Sequence, residues 1–316
     1  MSLPLIHAEQ ALLRLLERLR EAGYRFVTPT PATHARVNAR DENRQARNLQ
    51  GAFGWSRPFH ADLLPGDLFE AARDAGVLVR EGRIWRSLVR VSSLGENLFI
   101  HSAFPTVSAE SVFFGPDTYR FAAAVRRGLR DRPGPVRRAV DIGCGAGPGA
   151  ILVAKAHPAA EVAMVDINET ALRYARVNAA LAGARNAIAR RSDLLSGIEG
   201  SFDLIVSNPP YLNDPLERAY RHGGGPLGTA LSIAILDASL RRLAPGGVLV
   251  LYTGVAIVDG RDPFLDHATE TLGRSGVAWA YEEVDPDVFG EELEVPGYRE
   301  ADRIAAVVLT ATKGEP

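Results

Sequence analysis

Four consecutive residues, Asn208-Pro209-Pro210-Tyr211, combine groups that can activate a planar nitrogen atom for group transfer. An amide or aromatic amino nitrogen is a poor nucleophile because its lone pair is delocalised into the neighbouring π system. The Asn208 side-chain oxygen and the Pro209 carbonyl oxygen can accept both N–H hydrogens of such a group, which directs its lone pair at an electrophile held in line. The two prolines fix the backbone of the motif. Tyr211 offers a flat face on which a planar acceptor can stack.

A glycine-rich turn, Asp141-Ile142-Gly143-Cys144-Gly145-Ala146-Gly147-Pro148-Gly149, is the second candidate for chemistry. It lies where a predicted buried strand ends and a helix begins. Glycines in such a turn allow left-handed backbone conformations and leave room for a ligand, because they carry no Cβ. The pattern Gly145-x-Gly147-x-x-Ala150 also matches a dinucleotide fingerprint. The turn by itself is compatible with three classes of ligand: a methyl-donor nucleoside, a nicotinamide or a flavin.

Two acids follow the next two predicted strands. Asp166 stands where a carboxylate can accept hydrogen bonds from both hydroxyls of a ribose. Asp193, after the third strand, can accept a hydrogen bond from an adenine amino group. Each acid also has an ordinary explanation as a helix cap or turn residue. Cys144 is predicted to pack as a small residue in the glycine turn rather than to act as a catalytic thiol.

The end of the fourth predicted strand separates the possible ligands. Residues 204–207 are apolar or small and run directly into Asn208. A hydride-transfer enzyme has no evident use for the motif that begins there, whereas an amino-methylating enzyme does. The sequence therefore favours S-adenosylmethionine as the ligand, and it disfavours a dinucleotide oxidoreductase or a non-catalytic donor-binding module.

The elements that must position these residues follow a regular alternation after residue 136. Alternating apolar strands and helices predict an α/β domain with a mostly parallel sheet that is covered on both faces. The predicted strands are 139–142, 161–165, 187–191, 204–207, 248–252, 278–283 and 303–308. The predicted helices are 149–156, 169–182, 227–243 and 263–275, and another helix is expected from about residue 113 to residue 129.

The first part of the chain, residues 1–110, is predicted to be a separate α+β domain that selects the substrate, with residues 111–316 as the catalytic domain. Helices at 8–22 and 64–75 and a hairpin of strands 84–91 and 97–104 weakly suggest a winged helix. The segment 25–57 is polar, irregular and rich in arginine. Those arginines can form a phosphate-binding face beside aromatic residues, or they can be an ordinary solvated or salt-bridged surface. The same two interpretations apply to a second group of arginines around Trp85: Arg80, Arg83, Arg86 and Arg90.

The composition is that of an ordinary globular enzyme. Of the 316 residues, 46% are hydrophobic and 23% are charged, which excludes a disordered or fibrous chain. A net charge of −2 gives no overall attraction to nucleic acid or membrane, so such a partner would need a local basic patch. The sequence shows no leader and no membrane-spanning run, and one cysteine excludes a disulfide framework. We expect a cytoplasmic protein with no membrane partner and no metal.

From residue 113 to residue 312 the sequence resembles the Asn-Pro-Pro-Tyr branch of class I S-adenosylmethionine-dependent methyltransferases, which share a "small" catalytic domain. The resemblance implies a Rossmann-like, seven-stranded sheet whose last strand is antiparallel. It also implies Asp141, Gly143, Gly145 and Gly147 around the methionine part of the donor, Asp166 at its ribose, Asp193 at its adenine, and Asn208, Pro209, Pro210 and Tyr211 at the target. The other residues expected to line the donor site are Asp117, Thr118, Cys144, Ile167, Leu194 and Asn208.

The branch contains release-factor glutamine methyltransferases and amino methyltransferases of rRNA and tRNA. The release-factor enzymes carry a Pro-Arg-x-Glu-Thr type segment ahead of the glycine turn, where this chain has Gly115-Pro116-Asp117-Thr118-Tyr119. The segment 222–228 is similar to their glycine pair and is either a substrate-gating loop or a plain lead-in to a helix. We expect a macromolecular acceptor, with a protein glutamine as the best guess. Two other acceptors are possible. One is an RNA or DNA base, which would have to be flipped or unpaired, and the other is a small molecule.

Overall fold

The structure is a computed structural model that describes residues 5–106, 108–132, 134–218 and 220–314. Its amino-terminal part contains short helices followed by two antiparallel hairpins. The helices are α1 (His7–Glu21), α2 (Pro31–Asn38), α3 (Leu49–Phe53) and α4 (Gly66–Asp74). Strands β1 (Leu78–Glu81) and β2 (Ile84–Ser87) form the first hairpin, and β3 (Val89–Leu94) and β4 (Asn97–Ser102) form the second.

Two features of this part differ from the sequence-based prediction. The predicted strand 84–91 is divided at Leu88, because β2 pairs with β1, which was not predicted, whereas β3 pairs with β4. Helices α2 and α3 lie within the segment that was predicted to be irregular. Each begins with a capping side chain: the Thr30 hydroxyl accepts the N–H of Thr33, and the Asn48 amide oxygen accepts the N–H of Gly51. These helix caps were not predicted from the sequence.

The carboxy-terminal part alternates helices and strands as predicted. Its helices are α5 (Pro116–Asp131), α6 (Pro148–Ala156), α7 (Glu169–Leu181), α8 (Ala230–Arg242) and α9 (Pro263–Ser275). Its strands are β5 (Arg138–Ile142), β6 (Glu161–Asp166), β7 (Ala187–Arg191), β8 (Phe202–Ser207), β9 (Leu243–Ile257), β10 (Ala278–Asp285) and β11 (Arg303–Thr312). They form a seven-stranded sheet in the order β10-β11-β9-β8-β5-β6-β7. Strand β11 is antiparallel to both neighbours, which confirms the predicted sheet.

Helices cover both faces of the central strands, and successive side chains of each strand point alternately into the two layers. Helices α8 and α9 pack on one face. On the other face, α6 and α7 are joined to the amino-terminal part by one continuous apolar cluster, in which α1 packs against α7 and α4. The two parts of the chain therefore share a hydrophobic core, and the domain boundary near residue 110 stays a prediction.

One buried side chain links the second hairpin to the glycine turn. Asn178 of α7 accepts the backbone N–H of Ile100 at 2.8 Å and donates to the Ile100 carbonyl oxygen at 3.1 Å. The same amide nitrogen donates to the carbonyl oxygen of Ala146 at 2.9 Å. The hairpin is thereby attached to the loop that follows β5.

Candidate active site

A single cavity at the carboxyl ends of β5, β6, β7 and β8 collects most of the predicted residues. This is the edge of a parallel sheet at which ligands usually bind. The predicted residues that line it are Asp117, Thr118, Asp141, Gly143, Cys144, Gly145, Asp166, Ile167, Asp193, Leu194, Asn208, Pro209, Pro210 and Tyr211. Gly147 lies outside the lining, at the start of α6, with a φ of 82°. A Cβ there would lie 3.2 Å from the Met164 sulfur, so this glycine permits close packing behind the turn.

Asp166 joins the end of β6 to the glycine turn. Its Oδ2 accepts the backbone N–H of Gly145 at 2.9 Å, and its Oδ1 accepts that of Asn168 at 2.9 Å. Gly143 and Gly145 have φ angles of 66° and 52°, and a Cβ on either would point into open space. Each carboxylate oxygen keeps acceptor capacity. This arrangement fits a ribose diol that lies against the turn.

Asp141 is buried below the same turn. Its Oδ2 accepts the backbone N–H of Ala150 at 2.9 Å. Burial raises the pKa of the Asp141 carboxyl to about 7, and the nearby charge of Asp166 adds to the increase. A Cβ on Gly149 would lie 2.7 Å from this carboxylate, so the helix can approach it only with glycine there. A bound cation, such as the amino group of the donor's methionine part, would favour the charged form of Asp141.

The adenine end of the expected donor site has mixed polarity. Asp193 is exposed at the rim of the cavity, and Leu194 has a left-handed φ of 48°, which is uncommon for leucine. The Ser192 hydroxyl donates to the Leu194 carbonyl oxygen at 2.9 Å and supports this turn. Ile167 is 53% exposed although it is apolar. An exposed isoleucine beside an acid suits a flat base with a polar edge.

Tyr211 is buried more deeply than a simple stacking platform would be. Its ring approaches Gly254 so closely that a Cβ there would lie 2.2 Å from the ring, and Phe289 meets it edge-on with centroids 5.9 Å apart. The neighbouring Asp117 is buried and accepts a hydrogen bond from the Tyr252 hydroxyl at 2.6 Å. Burial raises the pKa of Tyr211 and of Asp117. Stacking of the acceptor on Tyr211 stays a prediction.

Thr118, another predicted residue that lines the cavity, has a local structural role. Its hydroxyl oxygen accepts the backbone N–H of Gly115 at 3.2 Å at the start of α5. The hydroxyl therefore caps the helix while the residue lines the cavity. That Asp117 or Thr118 contacts the bound donor stays a prediction.

The segment 222–228 supports the backbone of the Asn-Pro-Pro-Tyr motif. A Cβ on Gly228, whose φ is 78°, would lie 2.3 Å from the Tyr211 carbonyl oxygen, and one on Gly223 would lie 2.7 Å from the Tyr211 Cα. Gly223 also donates its N–H to the Leu212 carbonyl oxygen at 2.9 Å. The glycines thus allow two stretches of backbone to touch. A gating role for this segment stays a prediction.

Several lining residues were missed by the sequence analysis. They include Ser111, Phe113, Tyr220, Arg221, Leu231 and Phe289. The Tyr220 hydroxyl donates to the Thr106 carbonyl oxygen at 2.7 Å, and Arg221 forms an ion pair with Glu292. Phe289 comes from the connection between β10 and β11. These residues belong to no recognisable motif, and only the fold brings them to the cavity.

Two features are absent from the described ranges. No helix in them is long and apolar enough to cross a membrane. No group of three or more His, Cys, Asp or Glu side chains in them is arranged to hold a metal ion.

Comparisons with known proteins show which families this chain resembles. Residues 127–255 match the family model described as the methyltransferase small domain. A release factor glutamine methyltransferase of Rhodopirellula baltica is 37% identical over 137 residues, which cover 39% of this chain and 46% of the relative. A 4-amino-L-phenylalanine/4-methylamino-L-phenylalanine methyltransferase of Streptomyces pristinaespiralis is 34% identical over 145 residues, which cover 43% and 48% respectively. The chain thus matches about half the length of these curated relatives.

A solved structure shows the same fold. The tRNA m1G37 methyltransferase of M. jannaschii superposes with a TM-score of 0.50 at 15% identity, and the match covers 75% of this chain and 59% of that one. Identity at this level supports the architecture alone. The sheet order and the cavity at its carboxyl edge agree with the family model: the segment 127–255 is similar to the methyltransferase small domain family.

Proposed function

We propose that this chain is an S-adenosylmethionine-dependent N-methyltransferase that acts on a planar nitrogen, with a protein glutamine amide as its best acceptor. One observation carries the proposal: Asn208 and Pro209 line the same cavity as Asp166 and the glycine turn. A donor held by the turn and an acceptor held by the motif would therefore meet in one space. The relatives named above are a glutamine methyltransferase and a methyltransferase of 4-amino- and 4-methylamino-L-phenylalanine; both of these acceptors carry a planar nitrogen, which supports the proposed reaction class.

The residues present fit the donor. Asp166 would accept the ribose hydroxyls, Asp193 would accept from the adenine amino group, and Asp141 would lie near the methionine part. When bound, S-adenosylmethionine supplies an electrophilic methyl group on a sulfonium sulfur. The open space over Gly143 and Gly145 admits it without a clash.

The motif would act on the acceptor nitrogen. The Asn208 side-chain oxygen and the Pro209 carbonyl oxygen accept its two N–H hydrogens and hold its lone pair toward the methyl carbon. In the transfer, the new N–C bond would form as the S–C bond of the donor breaks, S-adenosylhomocysteine would leave, and one N–H proton would pass to solvent. These two acceptors would stabilise the positive charge that develops on the nitrogen, so their effect is on turnover more than on binding.

A nucleic-acid acceptor is the weaker proposal. It would use the arginines of the amino-terminal part, but several of these are engaged within the protein. Arg57 lies 5.2 Å from the Trp55 ring centre and donates to Asn38, and Arg80 lies 5.8 Å from the Trp85 ring centre. Arg86 forms an ion pair with Glu81 at 2.9 Å. Such contacts are typical of an ordinary surface.

A cytoplasmic location also stays a prediction.

The acceptor class can be determined by labelling. The purified enzyme is incubated with radiolabelled S-adenosylmethionine and an extract of a strain that lacks it, and the products are treated with RNase, DNase or protease. A protease-sensitive label would support a protein acceptor. A label that is sensitive to RNase and lost at raised salt would favour RNA, because phosphate contacts weaken steeply with salt. A label confined to small molecules would exclude the macromolecular acceptor, and an Asn208→Ala enzyme provides the background.

A further inference from the structure

A second, smaller cavity lies in the amino-terminal part. Its walls come from the segment before α2, from α2 itself, from strands β3 and β4 and from the chain that follows them, and they include His34, Arg90, His101, Thr106 and Phe113. We name it the Arg90 pocket after its charged residue. Nothing in the proposed reaction uses Arg90 or His34.

Arg90 is a buried cation without a counter-ion. Only 5% of it is exposed, and its Nε donates to the Gly54 carbonyl oxygen at 2.9 Å. Its Nη2 has no hydrogen-bond partner. Among the described residues, no Asp or Glu oxygen lies within 4.0 Å of the guanidinium. The guanidinium lies 5.7 Å from the centre of the Phe26 ring. A buried charge without an anionic partner is costly, so an anion from outside the protein would stabilise this side chain.

His34 contributes a second free donor. Arg57 donates to the Asn38 amide oxygen at 2.8 Å, which fixes the Asn38 amide so that its nitrogen faces His34 Nδ1 at 3.3 Å. This orientation of the amide favours the tautomer in which Nδ1 is the acceptor and Nε2 carries the proton. Burial lowers the pKa of His34 to about 4, so the ring is neutral near pH 7. Nε2 is buried and has no partner.

The other polar groups of the wall already have partners. His101 contacts the Ser92 hydroxyl through Nε2 at 2.8 Å and the Ser102 carbonyl oxygen through Nδ1 at 3.1 Å. Thr28 and Ser92 are joined through their hydroxyls. The unpartnered buried atoms among the lining side chains are thus two donors, one of them cationic.

We propose that the Arg90 pocket binds a carboxylate group of the methyl acceptor. Two donors match the two oxygens of a carboxylate, and one charge balances one charge. A phosphate would bring more oxygens and more charge than these donors can satisfy. The link to the acceptor comes from position, because Phe113 lines both cavities and the Tyr220 hydroxyl is bonded to Thr106, which also lines the Arg90 pocket. The assignment to the acceptor rests on the proposed function, whereas carboxylate binding does not.

Acetate is the probe for carboxylate binding. At equal ionic strength and near neutral pH, sodium acetate is expected to raise the Tm of the full chain above that in sodium chloride, with a saturable dependence on concentration. In Arg90→Gln, the acetate concentration that gives half of the maximal increase in Tm is expected to rise at least about tenfold, because the cation is lost. Arg83→Gln is the matched control, since Arg83 is exposed in the first hairpin, and it is expected to keep the wild-type response.

A crystal structure of the wild-type chain grown in acetate provides evidence that does not depend on a variant that folds. Density for a carboxylate within hydrogen-bond distance of Arg90 Nη2 is the expected result. If only water occupies that position and the Tm values in acetate and chloride are equal, the Arg90 pocket does not bind a carboxylate.

The assignment to the acceptor has a separate readout. Acetate is expected to inhibit labelling of the extract competitively in the wild-type enzyme and to leave the residual labelling by Arg90→Gln unchanged. Binding of acetate without any inhibition would mean that the carboxylate belongs to another molecule. If acetate binds but no labelling occurs at all, the result would count against the proposed function, whereas carboxylate binding in the Arg90 pocket would still be supported.

Discussion

Asp166 accepts the backbone N–H of Gly145 at 2.9 Å, so the acid that ends β6 is attached directly to the glycine turn that follows β5. The N–H of Asn168 holds its other oxygen. The carboxylate is therefore positioned before any ligand arrives, and burial raises its pKa. A preorganised acceptor of this kind loses little entropy when it binds a diol.

Replacing Asp166 by Ala is expected to weaken binding of S-adenosylmethionine by about 1–3 kcal/mol, because the acceptors for the ribose hydroxyls are lost. Calorimetry measures this directly. Asp203→Ala is the matched control, since Asp203 accepts the N–H groups of Arg137 at 2.7 Å and Arg138 at 2.9 Å at the opposite end of the sheet. Equal losses of affinity in the two variants would show that Asp166 acts only on the fold. Tight NAD binding with none of S-adenosylmethionine would contradict the donor assignment.

Asn208→Ala is expected to lower turnover by about 100-fold or more while donor affinity stays nearly unchanged, because its oxygen acts on the target nitrogen in the transition state. Single-turnover methyl transfer measures the rate, and calorimetry measures the affinity. Asn213→Ala serves as the control. Asn213 lies just beyond the motif, and its amide donates to the Pro226 carbonyl oxygen at 2.8 Å outside the cavity lining. Unchanged turnover in Asn208→Ala would mean that the motif is structural.

Gly228→Ala is expected to reduce turnover, because its Cβ would meet the Tyr211 carbonyl oxygen at 2.3 Å and displace the motif. Gly225→Ala separates this effect from backbone strain. Gly225 has a similar φ, 73° against 78°, but its Cβ would meet only Ala230, at 3.3 Å for the nearest atom. Both variants should lose about 1 kcal/mol of unfolding free energy to the left-handed conformation. Equal turnover in the two would contradict the supporting role of Gly228.

The stability of the free protein should depend on pH through Asp141. Its native pKa of about 7 lies above the ordinary value, so the folded chain binds this proton more tightly than the unfolded chain does. The resulting contribution to stability is present at acidic pH and is lost as the pH rises through about 7. Between about pH 5 and about pH 8, Asp141→Asn should therefore lose less unfolding free energy than the wild type, by about 1–3 kcal/mol. Parallel pH profiles in chemical denaturation would contradict this.

The sequence predicted the catalytic sheet well because its signals are local. The central strands contain short apolar runs, and the candidate catalytic residues follow the strand ends, so Asp141, Asp166 and Asn208 were placed at one edge before any contact was known. The second hairpin was predicted for the same reason, from Gly95 between two β-rich runs. Helix α9 was predicted with its observed bounds, because Asp262 caps it and Gly276 ends it.

The rest depends on contacts between distant parts of the chain. Leu88 interrupts a continuous β-rich run only because the strands on either side pair with different partners. Phe289 and Tyr220 reach the cavity from connections that carry no motif. The burial of Arg90 could not be predicted, because in the sequence it is one arginine of an arginine-rich stretch. Periodicity predicts which face of an element is apolar, but it does not predict which element covers that face.

Asn178 provides a test of communication between the two parts of the chain. Its buried amide holds Ile100 of β4 and Ala146 of the glycine turn at once. In Asn178→Ala the N–H of Ile100 is left buried without a partner, so the unfolding free energy should fall by about 2–4 kcal/mol.

Donor affinity should fall as well in Asn178→Ala, because the carbonyl of Ala146 is released within the turn that holds the donor. Asn186→Ala is the matched control. Its amide also anchors carbonyl groups, those of His157 at 3.1 Å and Ala160 at 3.0 Å, but these lie away from the cavity lining. Chemical denaturation should show both variants destabilised, whereas calorimetry with S-adenosylhomocysteine should show weaker binding only in Asn178→Ala. Full donor affinity in that variant would mean that the hairpin packs against the catalytic part without positioning the glycine turn.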